Sequence, residues 1–346
     1  MPETAKYAFA TQNSNNTQLI LVDNHNRPLN YVRLAVTDRC NLRCFYCMPH
    51  ERMQYLPKHE ILTFEEMERL VRLLATMGIT KVRITGGEPF VRNGLMNFIG
   101  QLVEIPGIRD MHITTNGVLT APYIPELKRL GIKSVNLSLD TLDRDRFFRI
   151  TKRDEFEKTM NTLHLLLEHD IHVKINAVIM ENYNTEDILP LTEFARTHPV
   201  DVRFIEEMPF NGRSDASPAL HWNHRKIIDH IRQHYPELEK VPDPPFSTSE
   251  NFMIPGFAGS IGVIAAFSRT FCGTCNRIRV TARGELKTCL YDNGVLNLKE
   301  LMRNGCDDEA LREKLLHAFR HRPLNGFEAE AQANSASFAS MSTIGG

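Results

Sequence analysis

The residues best suited to chemistry are seven cysteines, arranged as two close triplets and one outlier. Cys40, Cys44 and Cys47 follow an apolar stretch with C-x3-C-x2-C spacing, and Cys272, Cys275 and Cys289 form a second set. Three thiolates on one short loop can each bind a different iron of a cubic [4Fe–4S] cluster. Such clusters ordinarily take four cysteines, so one iron is left open for chemistry. Zinc competes with that reading for each triplet. The first triplet would need a fourth ligand at short range, for which His50 is the nearest candidate. The second could recruit Cys306, but Cys306 lacks a paired spacing with Cys289 and precedes a helix start at Asp307-Asp308-Glu309, so it reads as a spare thiol.

Over the whole chain, 41 basic and 42 acidic residues leave a net charge of -1. No global electrostatic case exists for nucleic acid or an anionic membrane as partner. Residues 1–18 lack an apolar secretion segment, and no apolar run is long enough to span a bilayer. The expectation is a cytoplasmic protein with reduced thiols, and an odd number of cysteines suits ligands better than a disulfide framework.

Six short strands are predicted at residues 31–37, 80–85, 110–115, 133–139, 171–179 and 201–206, with helical patterns between most of them. That alternation predicts a parallel sheet. The helix starting at Thr63 is the best defined: Thr63 and Glu66 make a capping box, Met67, Leu70, Val71, Leu74 and Met77 share a face, and Gly78 closes it. Further helices are predicted at 95–103, 123–130, 156–169 and 185–197.

Within the strands, a period of two sets Val32, Leu34 and Val36 against Arg33, Ala35 and Thr37. Arg83 and Thr85, His112 and Thr114, Asn136 and Ser138, and Lys174 and Asn176 repeat the polar face. A closed eight-stranded barrel fills its interior with branched apolar side chains. Polar residues there instead predict a wide, incomplete barrel with a hollow for a polar, anionic ligand.

The organisation predicted is an arm and lead-in over residues 1–30, the first 18 without regular structure. A partial barrel over 31–210 and a connection over 211–248 follow. A C-terminal domain over 249–328 holds the second thiol set, a strand at 277–281 and a helix at 308–320. A tail over 329–346 ends Gly345-Gly346.

Two further motifs bear on chemistry. Thr85-Gly86-Gly87-Glu88-Pro89 follows the second strand at its carboxyl end, where α/β barrels bind ligands; paired glycines allow close backbone approach, and Glu88 could meet an ammonium group. Arg277 and Arg279 alternate with Ile278 and Val280, so both guanidinium groups share one strand face and suit phosphate. With Arg33, Arg83 and Lys174 they would match a triphosphate.

The C-x3-C-x2-C loop with Tyr46 before its last thiol, together with Gly86-Gly87-Glu88-Pro89, resembles the radical S-adenosylmethionine superfamily. Over residues 31–346 the chain is similar to the branch of that superfamily that acts on GTP at the opening of molybdenum cofactor biosynthesis. The similarity is carried by the strand leading into the first thiols, by Phe271-Cys272-Gly273-Thr274-Cys275-Asn276-Arg277-Ile278-Arg279, by Cys289 and by the terminal Gly345-Gly346. The resemblance implies an incomplete (βα)6 TIM-like barrel, with a C-terminal domain carrying a second iron–sulfur cluster. Its cofactors would be two [4Fe–4S] clusters, on Cys40, Cys44 and Cys47 and on Cys272, Cys275 and Cys289, with S-adenosylmethionine as cosubstrate. Tyr46, Gly87, Ser138 and Met208 match positions that contact the cosubstrate. Arg33, Arg83, Thr114, Lys174, Arg277, Ile278 and Arg279 match GTP contacts, and Arg277, Arg279, Gly345 and Gly346 match catalytic positions.

The implied activity is a radical lyase reaction: reductive cleavage of S-adenosylmethionine, removal of the C3′ hydrogen of GTP and formation of a C3′–C8 bond. Implied partners are an electron donor such as flavodoxin or ferredoxin, and cyclic pyranopterin monophosphate synthase to receive the product. The implied assembly is a monomer or homodimer without nucleic acid or membrane. A radical enzyme that modifies a peptide, and a non-catalytic iron–sulfur electron carrier, are the competing readings. The arginine fork argues against the first, and the Gly-Gly-Glu-Pro loop against the second.

Overall fold

The computed structural model describes residues 8–13, 16–48, 55–208, 220–333 and 340–345. His50, Pro209, Gly212, Pro218 and Gly346 lie outside the described residues. The described residues begin with an antiparallel hairpin of β1 (Ala8–Asn13) and β2 (Asn16–Leu21), a sheet of its own. This differs from the expectation of an arm without regular structure. Thr11 pairs with Gln18 and Phe9 with Ile20, so a ribbon forms from a stretch whose composition alone reads as loop.

Six β/α units follow. β3 (Tyr31–Ala35) leads to α1 (Phe64–Thr76), β4 (Lys81–Thr85) to α2 (Leu95–Val103) and β5 (Asp110–Thr115) to α3 (Ile124–Arg129). β6 (Ser134–Ser138) leads to α4 (Arg144–Thr151) and α5 (Phe156–Glu168), β7 (His172–Ile179) to α6 (Ile188–Thr197), and β8 (Val200–Glu206) to α7 (His224–His234). The six strands pair in parallel in chain order. α1 carries the expected capping box: Glu66 N donates to Thr63 Oγ1 at 3.2 Å and Thr63 N to Glu66 Oε2 at 2.8 Å. α4 is absent from the sequence reading, although Asp143 caps it by accepting from Arg146 N at 2.7 Å and Phe147 and Ile150 bury one face.

Beyond residue 206 come β9 (Glu239–Lys240), β10 (Ser249–Met253), β11 (Ser260–Ile264), β12 (Arg277–Val280), β13 (Glu285–Lys287) and β14 (Leu296–Asn297). They do not form a sheet apart. β11 lies parallel to β8, and β12 lies parallel to β3. The result is one twelve-stranded sheet whose central strands, from β12 through β3 to β8 and on to β11, all run parallel. Segments from the C-terminal part thus wall the partial barrel on both flanks. α8 (Leu298–Arg303), α9 (Asp308–Arg320), α10 (Gly326–Gln332) and α11 (Met341–Ile344) complete the described chain.

Alternation in the strands decides which side is core. Val32, Leu34, Val82, Ile84, Ile113, Val135, Leu137, Val173 and Ile175 are buried in one hydrophobic core with the helices. Fully burying one such side chain is worth about 2 kcal/mol. A one-residue slip would send Arg33, Arg83 and Lys174 into that core, so register, and with it the polar hollow, is strongly specified.

Candidate active site

The first thiol set sits on the loop leaving β3. Arg43 Nη1 donates to the carbonyls of Cys40 and Leu42 at 2.6 and 2.7 Å, and the amide of Cys47 donates to Cys44 O at 3.0 Å. α4 anchors the loop: Arg43 N donates to Thr151 O and Phe45 N to Ile150 O, at 2.8 and 3.2 Å. Gly86 and Gly87 press against the same loop. A Cβ on Gly87 would lie 2.3 Å from Arg39 O, and one on Gly86, where φ is +151°, 2.4 Å from Thr37 O. The paired glycines are therefore required where two backbones meet.

Glu88 is wholly buried. Its carboxylate accepts from Asn116 N at 2.7 Å, Thr115 Oγ1 at 2.9 Å and Phe90 N at 3.1 Å, and burial pushes its pKa up to about 7. Asn116 in turn donates to Asn41 Oδ1 at 2.8 Å and to Cys40 Sγ at 3.6 Å. Glu88 thus acts through Asn116 on the cysteine loop. Tyr46 donates to Asp140 Oδ2 at 2.9 Å. Tyr46, Ser138 and Cys44 share a small cavity of about 30 Å³ behind the loop.

The donor set fits an iron–sulfur cluster. Burial pushes Cys40 up to about 12 and Cys47 up to about 11, and raises Cys44 well above its ordinary range. On their own these thiols stay protonated, and iron bound to them would hold them as thiolates. In a cubane cluster each thiolate would sit on its own iron.

Cys272 and Cys275 open the run into β12, and Cys289 follows β13. Cys306 is elsewhere: it packs against the main core and its carbonyl accepts from Arg69 Nη2 at 2.7 Å, whereas Cys289 packs with Tyr291 and Ile344. A zinc site built from Cys289 and Cys306 therefore fails on placement.

A cavity of about 370 Å³ opens between the second thiol set and the strand face carrying the polar residues. Such a volume suits a small organic ligand. Arg33, Arg83 and Lys174 line it from the barrel, and Arg277 and Arg279 from β12, beside Cys272, Cys275 and Cys289. Burial and then mutual repulsion hold Arg33 well below the ordinary guanidinium range, with Arg279 its strongest cationic neighbour. Lys174 is partly spoken for, since it donates to Asp201 Oδ2 at 2.7 Å. Among the described residues, Asn136 Oδ1, Asn176 Oδ1 and Arg203 Nε are buried without a hydrogen-bond partner, and all three residues line the cavity. Like charges and unpaired polar atoms in one hollow call for an anionic, hydrogen-bonding ligand.

Not every expected contact reaches this cavity. Thr114 accepts from Arg83 Nη1 at 3.3 Å and so touches it through Arg83. Ile278 is fully buried in the core on the opposite face of β12, which leaves only its backbone for the ligand. Met208 lines the large cavity, away from the small one shared by Tyr46 and Ser138. Gly345 is brought in: its carbonyl accepts from Arg279 Nη1 at 2.9 Å, and Ile344 beside it is buried against Tyr291 and Ala329.

Sequence reasoning missed Tyr31, Lys81 and Arg203, which share the inward period with Arg33, Arg83 and Asp201 and could have been found by extending it. Tyr31 accepts from Arg83 Nε, and although burial alone would raise its pKa, Arg83, Arg33 and Arg277 bring it down to about 7.

Residues 34–195 match the family model described as the radical SAM superfamily, and residues 200–327 the model described as Molybdenum Cofactor Synthesis C. The GTP 3′,8-cyclase of Syntrophomonas wolfei is 40% identical over 313 residues, covering 88% of this chain and 93% of that protein. The molybdenum cofactor biosynthesis protein 1 of Homo sapiens is 41% identical over 298 residues, covering 84% of this chain and 46% of that protein. The chain thus spans about half the length of such longer relatives. Streptococcus suis SuiB bound to S-adenosylmethionine superposes with a TM-score of 0.58 at 16% identity, over 82% of this chain and 67% of that one, a likeness of fold.

Proposed function

The chain belongs to the GTP 3′,8-cyclase family of radical S-adenosylmethionine enzymes, and from that premise we propose that it converts GTP to (8S)-3′,8-cyclo-7,8-dihydroguanosine 5′-triphosphate for molybdenum cofactor biosynthesis. The observation that carries this reading is the cationic cavity walled on one side by Cys272, Cys275 and Cys289 and on the other by the barrel strands.

Cys40, Cys44 and Cys47 would hold the first [4Fe–4S] cluster, and Cys272, Cys275 and Cys289 the second. When bound, the first cluster would supply the electron for reductive cleavage of S-adenosylmethionine, the source of the radical chemistry at C3′ of GTP. The chain's own residues bind and orient. Tyr46, Gly87, Ser138 and Met208 receive the cosubstrate. Arg33, Arg83, Thr114, Lys174, Arg277, Arg279 and the backbone of Ile278 receive GTP, with Arg203 as a further cation. Arg277 and Arg279 neutralise the triphosphate, and the Arg279–Gly345 contact brings Gly345 to the same place. Holding both substrates in one enclosed cavity supplies proximity and keeps water from the radicals.

Residues 31–210 act as the barrel unit, 211–248 as connection, 249–328 as the unit of the second cluster and 329–346 as the tail. The same reading takes flavodoxin or ferredoxin as electron donor, cyclic pyranopterin monophosphate synthase as recipient of the product, the cytoplasm as location and a monomer or homodimer as assembly. Among the described residues no helix is long and apolar enough to cross a membrane.

Anaerobic reconstitution followed by incubation with GTP, S-adenosylmethionine and a strong reductant tests the proposal. The expected products are 5′-deoxyadenosine and the cyclised triphosphate; two intact clusters with neither product would sink it.

A further inference from the structure

The strands and thiols account for the cavity but leave a buried ion network beside it without a task. Asp23, from the lead-in, and Arg27 form an ion pair at 2.7 Å, and Arg322, which follows α9, reaches the same Asp23 Oδ2 at 3.1 Å. Their side chains are only 0%, 6% and 2% exposed, respectively. Burying three charges this completely is costly unless each is fully hydrogen-bonded.

Arg322 is so bonded, and its partners belong to the site. Nε donates to Thr288 O at 2.8 Å, directly before Cys289. Nη1 donates to Cys275 O at 2.8 Å as well as to Asp23. Nη2 donates to Cys275 Sγ at 3.2 Å and to Arg277 O at 2.7 Å. All five guanidinium donors are used, a pattern that three-donor lysine cannot reproduce. Arg27 extends the clamp, with Nη1 donating to Cys272 O at 3.2 Å. Each of the second thiol set is thus held, at its sulfur, its carbonyl or its neighbour's carbonyl, by a charge network rooted in the N-terminal lead-in.

We propose that Arg322, fixed by Asp23, is a positioning residue for the second cluster: it orients Cys275 and sets the cluster's reduction potential through a charged hydrogen bond to the thiolate sulfur. The proposal rests on the reading that Cys272, Cys275 and Cys289 hold a cluster. Hydrogen bonds to cluster sulfurs are among the determinants of potential, and a cationic donor favours the more negatively charged, reduced state.

Arg322→Gln and Arg322→Lys test it in the full-length, anaerobically reconstituted protein. Iron content reports retention of each cluster. Potentiometric titration followed by electron paramagnetic resonance, in a background with Cys40, Cys44 and Cys47 replaced by Ala, reports the midpoint of the second cluster alone. The expected result is a midpoint more negative than in the parent protein, with Arg322→Lys shifted less than Arg322→Gln. Selective loss of the second cluster, with the first retained, also supports the role. A midpoint equal to the parent's in whichever variants keep the second cluster overturns it, as does simultaneous loss of both clusters in both variants. A parent protein that binds only one cluster would instead overturn the reading on which the proposal rests.

Discussion

Arg279 Nη1 donates to the carbonyl oxygen of Gly345 at 2.9 Å. A cavity-wall guanidinium and Gly345 are thereby held together, although the two residues are far apart in sequence. The contact is reinforced by Ile344, buried against Tyr291, and by Ser340 Oγ, which donates to Cys47 O on the first thiol loop. The tail therefore touches both thiol loops.

Gly345→Ala tests the importance of that contact. At φ +79° a non-glycine residue costs about 1–2 kcal/mol. The added Cβ would also lie 2.5 Å from Thr85 Oγ1 and 3.1 Å from Ala35 Cβ. Cyclised product should fall roughly tenfold or more, while 5′-deoxyadenosine still forms. Chromatographic assay of both products would reveal an unaffected cyclisation rate, which would count against a role for the tail.

Arg277→Ala and Arg279→Ala should weaken GTP binding without loss of iron. Removing one charged hydrogen-bonding partner costs about 1.5–3 kcal/mol, which corresponds to roughly 10- to 150-fold in affinity. Equilibrium binding measured alongside iron content checks this, and unchanged affinity in both variants would refute the phosphate assignment.

Gly87→Ala is expected to damage the first thiol set selectively. The new Cβ would sit 2.3 Å from Arg39 O and 2.6 Å from Arg39 C, backbone atoms that cannot swing aside. Iron on the first cluster and S-adenosylmethionine cleavage should both drop, while the second cluster remains. Full iron loading of both clusters would show that the loop has more slack than this packing allows.

His112 gives a pH dependence. Burial first, and then Arg83 and Lys81, hold its pKa down to about 3, so it stays neutral in the folded protein. An unfolded histidine titrates near 6.5, so below that pH the unfolded chain takes a proton that the folded state refuses. Stability from this group is full above about pH 6.5 and is lost as pH falls toward 3, by at most about 1.4 kcal/mol per pH unit. Thermal melts at pH 7.5 and 5.0 should show a smaller acid loss for His112→Asn than for the parent protein. Equal losses would remove His112 from the account.

Much of the site was legible because it follows local rules. A thiol triplet lies within eight residues, and the capping box at Thr63 and Glu66 within four. Strand alternation assigned Arg33, Arg83, Lys174, Arg277 and Arg279 to one face from a period of two. Glu88 follows no such period: its place after two glycines suggested a ligand contact, and the fold shows its buried carboxylate accepting from the amide of Asn116.

What remained hidden involves partners that no local pattern encodes. β12 joins β3 across most of the chain, and β11 joins β8 across the connection between them, so periodicity could identify strands without revealing that the C-terminal segment walls the barrel. Arg322 reads as one arginine among many until the fold brings its five donors onto Asp23, Cys275, Arg277 and Thr288. Residue types and short spacings thus determined the available chemistry, two thiol sets and a row of cations. Tertiary structure decided which groups share a cavity, because burial and distance depend on contacts between segments remote in sequence.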